Sequence, residues 1–401
     1  MSLLWICLFV AFSAAAQTTV DPARVERLLR RAVVIDLHSD TTQMILNEGY
    51  NLGELHDYGQ VDIPRLRRGQ VSAVFLASCP NSRRLTPPES ARRALEEIDA
   101  VRGEVERHRR DLELATTAEQ ILAARRNGRI AVLLGLEGGH IIDSNLALLR
   151  SFFELGARYM TLTHFTHTPW ADSSGQLPVH DGLTAWGRGL VREMNRLGMM
   201  VDVSHVADKT FFDALAASAA PVIASHSSCR RFSSHARNLS DEMLGALAKN
   251  RGVAHINFYN PYLDQGFRER YDALKKENAR EDEIDAELWS QPARRGPAQR
   301  KLNAQRIAKL GRVPFPRLLD HFEHVVKVAG IDHVGLGSDF DGVSDQLPEG
   351  MEDISRIPNL ARGLLERGFS DNDVEKILGG NTLRVMREVE QAARKMRPSP
   401  E

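Results

Sequence analysis

Cysteine is scarce in this sequence, with three residues among 401, so a small scaffold held together by disulfides is excluded. An excess of charge of one sign is also absent, because 52 Lys and Arg residues stand against 53 Asp and Glu residues. This balance argues against a nucleic-acid-binding protein, whose domains usually carry a basic excess. The hydrophobic content of 42% is too high for a disordered chain. What remains is a soluble enzyme with several domains or with one large α/β barrel.

A long hydrophobic run occurs at the amino terminus. Residues 3–12 are continuously apolar and residues 14–16 are alanines, a pattern typical of a secretory signal peptide and its cleavage site. The run is too short to span a bilayer comfortably, although a buried strand is an alternative interpretation. Residues 394–401 are polar, which argues against an anchor tail. We therefore expect a signal peptide over residues 1–16, a mature domain over residues 17–401, and a periplasmic or secreted protein with no stable membrane anchor.

Two cysteines, Cys79 and Cys229, would remain after this cleavage. An oxidising compartment would permit a disulfide between them, but the sequence does not show that their Cα atoms approach within about 7 Å. Two unpaired thiols are the favoured interpretation.

Short apolar runs recur along the chain, and most of them lack clean alternation, as in strands that are buried on both faces. The eight candidate strands are residues 33–38, 71–79, 130–136, 159–164, 199–205, 222–226, 253–259 and 333–339. Helical patterns lie between or after them, at residues 88–126, 145–155, 183–197, 209–217, 240–249, 316–329, 353–367 and 371–389. This alternation predicts an α/β protein with a (β/α)8 TIM-like barrel.

Residues 265–313 interrupt the alternation. The segment is dense in charged residues and has few large apolar ones. One interpretation is a charged helical insertion after strand seven that covers the barrel mouth, and the other is a solvated surface excursion. The fold prediction includes the insertion.

Side chains that can bind metal stand at the ends of six predicted strands. They are His38, Asp40, Glu137, His164, His205, His226 and Asp339. Barrel enzymes build their active sites at the carboxyl ends of the strands, from several strands at once. These side chains are therefore expected to converge.

The residue types indicate a metal site. Imidazole and carboxylate ligands without cysteine suit zinc, and the two-residue spacing of His38 and Asp40 points both side chains to one side of an extended chain. A first ion would take His38, Asp40 and Glu137, and a second would take Glu137, His205 and His226. Each residue alone also has a structural interpretation, such as a strand cap, a helix start or a buried histidine. The remaining two, His164 and Asp339, are candidates for an oxyanion-stabilising group and a general base.

These residues stand in six motifs that resemble those of the membrane (renal) dipeptidase family, binuclear zinc peptidases with a barrel fold. The motifs are His-Ser-Asp, Leu-Glu-Gly-Gly-His, Leu-Thr-His, Asp-Val-Ser-His, Ser-His-Ser-Ser and Gly-Ser-Asp-Phe-Asp-Gly. The resemblance implies two Zn²⁺ per chain, held by the five ligands above with Glu137 bridging. It implies a substrate-contacting role for His164 and proton transfer by Asp339. It alone nominates Arg237 for the substrate carboxylate, and Tyr259, in the matching stretch 257–260, for substrate binding.

The resemblance implies hydrolysis of dipeptides by a metal-bridged hydroxide, with tolerance of a D-residue at the carboxy-terminal position. The sequence departs from the family's animal members at Thr166, where they have the disulfide partner of the residue equivalent to Cys79. The anchor tail is missing and the 265–313 segment is long, while a homodimer stays compatible with the resemblance. The alternatives are another binuclear hydrolase, acting on an acylated amino acid, lactone or phosphoester, and a metal- or peptide-binding protein without turnover.

Overall fold

The computed structural model describes residues 20–277 and 280–396. The predicted signal peptide over residues 1–16 lies outside the described residues. The described part contains nine strands, all of them paired in parallel. The strands are β1 (Ile35–Ser39), β2 (Ala73–Ser78), β3 (Leu112–Leu114), β4 (Ile130–Leu136), β5 (Ala157–Thr161), β6 (Met200–Asp202), β7 (Ile223–Ala224), β8 (Val253–Ile256) and β9 (Val334–Leu336).

Eight of these strands close into a barrel, which confirms the fold prediction. Around the barrel the order is β1, β2, β4, β5, β6, β7, β8 and β9, and β9 pairs with β1 again. The strands are short, buried and rich in Val, Ile and Leu, because both of their faces are covered. All of them run the same way, so their carboxyl ends form a single rim.

Helices surround the barrel and connect its strands. They are α1 (Pro22–Arg31), α2 (Thr41–Glu48), α3 (Ile63–Arg68), α4 (Pro87–Arg107), α5 (Ala118–Arg126), α6 (Leu146–Glu154), α7 (Ala185–Leu197), α8 (Asp208–Ala217), α9 (Asp241–Lys249), α10 (Asn260–Leu263), α11 (Gln265–Glu277), α12 (Arg280–Leu288), α13 (Pro292–Leu310), α14 (Phe315–Ala329), α15 (Ile357–Glu366), α16 (Asp371–Glu375) and α17 (Asn381–Met396). Short 3₁₀ turns occur at Gly139–Ile142, Ile331–His333 and Ile354–Arg356, and a π-helical turn joins α16 to α17 at Lys376–Gly380. No helix among the described residues has the length and apolar character needed to cross a membrane.

One predicted helix is wrong as a single element. Residues 88–126 form α4 and α5 with the short strand β3 between them. Leu112–Leu114 pairs with Ile130–Val132 at the start of β4, so β3 extends the sheet outside the closed barrel. Pairing with a distant strand, which no local pattern reports, overrides the helical periodicity here.

The segment predicted as an insertion forms α11, α12 and α13, directly after the short helix α10 that follows β8. Because β8 is the seventh strand of the barrel, the position agrees with the prediction. The last of these helices, α13, contacts α2 at the carboxyl rim, which favours the helical insertion over a solvated excursion.

Candidate metal centre

The predicted site residues all lie at the carboxyl rim. His38 is in β1 and Asp40 follows it, while Glu137 comes directly after β4. Two further histidines follow β6 and β7, namely His205 and His226. The strands β6 and β7 end before these histidines, earlier than predicted. The chain has left the β-sheet at both histidines, and their side chains are buried. His205 even adopts a left-handed backbone, with φ of 68°, a strained conformation that is typical of functional positions.

Three imidazole nitrogens converge on a single oxygen of Glu137. The Nε2 atoms of His205, His226 and His38 lie 2.9, 3.2 and 3.6 Å from its Oε1. Asp40 joins them through its Oδ1, which is 3.6 Å from His38 Nε2. The five predicted metal ligands therefore form one cluster.

Three atoms of this cluster that could ligate a metal have no hydrogen-bond partner in the protein. His38 Nε2, Asp40 Oδ1 and Glu137 Oε2 are buried and have no hydrogen-bond partner, a costly state unless another group satisfies them. Donor atoms of His38, Glu137 and His226 lie within 4.8 Å of one another, as do those of His38, Asp40 and Asp339. Imidazole nitrogen and carboxylate oxygen are ligands that suit zinc.

The charge states of the cluster also suit metal binding. Burial holds the pKa of His205 and of His226 well below the ordinary value, so both are neutral and offer a lone pair. Burial would raise the pKa of Glu137, but the neighbouring His164 and His38 imidazoles outweigh it and hold that pKa well below its usual range. Neutral imidazoles at His205 and His226 beside an ionised carboxylate are the forms that bind cations. Burial would lower the pKa of His38, but Tyr159 and Glu137 raise it well above its ordinary value, so a cation would displace a proton from this ring.

Hydrogen bonds behind the cluster orient two of its imidazoles. His38 Nδ1 and the Tyr159 hydroxyl share a hydrogen bond of 2.7 Å. The Ser225 hydroxyl donates to Asp202 at 2.5 Å and lies 2.7 Å from His226 Nδ1. Because the serine proton points to Asp202, the hydroxyl can accept a hydrogen bond from Nδ1–H of His226, which leaves a lone pair on His226 Nε2 for a cation. Sequence reasoning missed Tyr159, Ser225 and Asp202 in this supporting role, although the last two stand in motifs that it singled out.

Asp339 borders the cluster beside His38. Its Oδ1 lies 3.9 Å from His38 Nε2, and its Oδ2 accepts a hydrogen bond of 2.8 Å from Asn257. Burial, with the negative charges of Asp40 and Glu137, raises the pKa of Asp339 to about 8. Its φ is 64°, so the backbone is strained here as well. A carboxyl group with a pKa near neutrality can both take up and release a proton.

His164 also borders Glu137. Its Nε2 is 3.8 Å from Glu137 Oε1, and its Nδ1 is buried without a hydrogen-bond partner. Burial lowers the pKa of His164 to about 4, so the ring is neutral. A neutral imidazole can donate one hydrogen bond to a developing negative charge without bringing a full positive charge.

Arg237 is buried next to the cluster, and no carboxylate among the described residues pairs with it. Its Nη1 donates to Ser227 Oγ and its Nη2 to the carbonyl of His226, both at 3.2 Å, while Nε has no partner. The guanidinium lies 5.6 Å from the centre of the Tyr262 ring. Tyr259 packs against Tyr262, with ring centres 4.8 Å apart. The aromatic ring that faces the arginine is therefore Tyr262, which sequence reasoning did not single out.

The two cysteines are unpaired, as the favoured interpretation predicted. Cys79 lies at the rim, with its sulfur within 4.8 Å of donor atoms of Glu137 and His164. Cys229 is buried elsewhere, where its amide donates to His321 Nδ1.

Comparison with known proteins decides the family. The sequence profile described as "Membrane dipeptidase (Peptidase family M19)" matches residues 22–400. The chain belongs to the membrane dipeptidase family. A Schizosaccharomyces pombe protein described as "Uncharacterized dipeptidase C965.12" is 35% identical over 94% of this chain and 86% of its own length. The "Dipeptidase tcpJ" of Claviceps purpurea is 36% identical over 84% of this chain and 70% of its own length.

Solved structures agree with this assignment. The probable dipeptidase PvdM from Pseudomonas aeruginosa has a TM-score of 0.78 and 26% identity, and the match covers 93% of this chain and 99% of that one. A Rhodobacter sphaeroides metallopeptidase, solved with a phosphinate mimic of L-Ala-D-Ala, shares the fold, with a TM-score of 0.73, 23% identity and coverage of 89% and 99%. This member of the membrane dipeptidase family is thus a metallo-dipeptidase, as the motifs indicated.

Proposed function

We propose that this metallo-dipeptidase hydrolyses dipeptides with two zinc ions at the cluster, and that it accepts a D-residue at the carboxy-terminal position. The observation that carries the proposal is the buried Arg237, an uncompensated cation directly beside a group of unsatisfied metal donors. A buried charge of this kind calls for an anion. The carboxylate of a short peptide is an anion that would lie one residue from a scissile amide.

His38, Asp40 and Glu137 would hold one ion, and Glu137, His205 and His226 the other. When bound, two such cations lower the pKa of a water molecule and polarise a carbonyl group. The neutral state of the two last histidines and the ionised state of Glu137 support this assignment.

Asp339, His164 and Arg237 would each have a separate role in the reaction. Asp339 would take the proton of the attacking water and pass it to the leaving amine, since its carboxyl group borders the cluster beside His38. His164 would donate a hydrogen bond to the carbonyl oxygen as that oxygen gains negative charge. Arg237 would fix the terminal carboxylate through a bidentate contact, which explains a preference for dipeptides over longer chains.

The tolerance of a D-residue rests on the family resemblance, and L-D substrates therefore belong in the first experiment. The Rhodobacter neighbour was solved with a mimic of an L-D dipeptide. We also propose export to the periplasm or medium, based on the apolar run at residues 3–12, and a homodimer. Amino-terminal sequencing of the secreted protein would test the first, and its mass in solution would test the second.

The test is release of amino acids from L-Ala-L-Ala and L-Ala-D-Ala, measured before and after treatment with a chelator and after zinc is restored. Cleavage that is lost with the chelator and regained with zinc supports the proposal, and metal analysis gives the number of ions per chain. Cleavage of the L-L substrate alone would refute the tolerance of a D-residue. No cleavage of either dipeptide by metal-loaded enzyme would refute the whole proposal and favour an acylated amino acid, lactone or phosphoester as substrate.

A further inference from the structure

A cavity of about 540 Å³ opens from the candidate metal centre towards the inserted helices. Asp40 and His164 line its inner end, and α2, α4 and the loop after β2 form one side. The other side is α13 with the turn before it, through Trp289, Gln299 and Asn303. The insertion that interrupts the barrel pattern thus builds a wall of the entrance to the site.

This wall is fixed to the barrel. Arg300 of α13 makes a two-pronged ion pair with Glu48 of α2, with contacts of 3.0 and 2.7 Å, and its guanidinium lies 4.1 Å from the centre of the Tyr58 ring. Gly296 allows the close approach, because a Cβ at this position would lie 1.9 Å from Glu48 Oε1. The helix is therefore held at a defined distance from the opposite wall, and the cavity between them has a defined width.

Arg237 is not among the residues that line the cavity. The groups that contact this arginine are Ser227, the His226 carbonyl and the Tyr262 ring, and none of them is among the residues that line the cavity. If Arg237 holds the carboxylate of a dipeptide and the amide lies at the cluster, the amino-terminal residue extends beyond the cluster. The cavity begins there, at Asp40 and His164.

We propose that this cavity binds the side chain of the amino-terminal residue of the substrate and selects bulky, aromatic side chains there. This inference rests on the proposed function. Its volume is within the range of about 300–1,000 Å³ that holds whole small molecules, so a methyl group would leave it nearly empty. The inserted helices thus set the substrate class of this enzyme at its amino-terminal position.

The lining favours an aromatic group. Apolar surface comes from Met44, Leu85, Phe165 and Trp289. The Phe165 ring lies against the guanidinium of Arg83 at 4.5 Å and the His164 ring at 4.0 Å. The Trp289 ring lies against the guanidinium groups of Arg295 at 4.6 Å and Arg84 at 5.6 Å. Rings held in this way provide stacking surfaces for another ring.

Several charged groups in the lining pair with one another. Glu48 pairs with Arg300, and Glu97 accepts hydrogen bonds from Arg93 at 3.1 Å and Gln43 at 2.7 Å. A side chain that enters the cavity does not have to supply a charge. The cavity therefore favours bulk and aromatic character over a particular charge.

The test compares kcat/KM for L-Trp-L-Ala with kcat/KM for L-Ala-L-Ala in the metal-loaded enzyme. Gln299→Trp fills the cavity from α13, and Leu85→Trp fills it from the opposite wall. Ala304→Trp places the same side chain on the exposed face of α13 and is the matched control. The ratio of the two kcat/KM values within one protein does not depend on how much of the protein is folded.

We expect the wild-type enzyme to cleave L-Trp-L-Ala at least as efficiently as L-Ala-L-Ala. Both filling variants should lower the ratio by about tenfold or more, while the control leaves it unchanged. An unchanged ratio in both filling variants, or a wild type that cleaves only L-Ala-L-Ala, would overturn the inference and leave the dipeptidase proposal intact. If the wild type cleaves neither dipeptide, the proposed function itself is wrong.

Discussion

Replacement of Arg237 by methionine isolates the role of its buried positive charge. The substitution keeps an unbranched apolar stem against Tyr262 and removes the guanidinium. Because no carboxylate among the described residues pairs with Arg237, the change leaves no protein anion buried alone. We therefore expect the thermal unfolding midpoint to stay the same or to rise, unlike the outcome for a partner in a buried ion pair.

The effect on catalysis should be large. Removing one partner of a buried, hydrogen-bonded charge pair costs about 2–5 kcal/mol in binding, which corresponds to a loss of roughly 30-fold to several thousand-fold. In the wild type, the hydrogen bonds of Arg237 to Ser227 and the His226 carbonyl use two of its five N–H groups. The other three, Nε–H among them, are left for a bidentate contact with the substrate carboxylate. The loss should fall mainly on KM, since the carboxylate is bound in the ground state as well as in the transition state.

The assay measures kcat and KM for L-Ala-L-Ala and for its carboxy-terminal amide. The wild type should strongly prefer the free carboxylate, and Arg237→Met should show almost no preference between the two. Arg230→Met is the matched control, because Arg230 lies in the same loop but binds Asp208 at 2.7 and 2.8 Å. If Arg237→Met retains the wild-type preference for the free acid, the carboxylate is bound elsewhere and the reasoning is wrong.

Three further predictions test the surrounding structure. Asp339→Asn should keep its bound metal, measured by elemental analysis, and lose turnover by on the order of 10²–10⁴; full activity would remove Asp339 from the mechanism. Tyr159→Phe deprives His38 of its hydrogen bond and should weaken metal affinity about 10–100-fold in a chelator titration; an unchanged titration would contradict an orienting role. Burial lowers the pKa of His321 to about 3. Between this value and the pKa of about 6.5 in the unfolded chain, only the unfolded chain binds the proton. The free energy of unfolding of the wild type should therefore fall by about 2 kcal/mol relative to that of His321→Gln between pH 7 and pH 5. Parallel pH profiles of unfolding free energy for the two proteins would refute this.

The location of the site could be predicted because a parallel barrel places the carboxyl ends of all its strands at one rim. Run 130–136 has no polar side chain and is followed by Glu137, and run 199–205 is mainly apolar and ends at His205. Once the strands are parallel, every such residue is carried to the same rim, whatever the length of the helices between them. The convergence on Glu137 needed only the alternation of elements and the residue types.

Other features could not be predicted because they depend on contacts between distant parts of the chain. The strand β3 consists of three residues, and its ladder with the start of β4 is what defines it. Tyr159 looks like any strand residue in the sequence, and its role appears only when the curvature of the barrel brings its hydroxyl to His38. The width of the cavity behind Asp40 depends on how α13 packs against α2, which charge density in the sequence does not encode.

A buried aspartate positions the catalytic candidate Asp339. The two oxygens of Asp36, in β1, accept hydrogen bonds from the amide of Ser338 at 2.9 Å and from its hydroxyl at 2.5 Å. Ser338 is the residue directly before Asp339 and lies just beyond the end of β9, the strand that pairs with β1. These two hydrogen bonds fix the backbone and the side chain of Ser338, directly before Asp339, where the chain leaves the β-sheet.

The same arrangement occurs across the barrel. Asp202, at the end of β6, accepts from the amide of Ser225 at 2.9 Å and from its hydroxyl at 2.5 Å. Ser225 directly precedes His226 and follows β7, the partner of β6. In both places an aspartate inside the barrel fixes the serine directly before a residue of the candidate site through two hydrogen bonds. The same hydrogen-bonded pair of aspartate and serine thus occurs twice at the rim. Each pair restrains the backbone next to a residue of the candidate site, where the chemistry requires fixed distances.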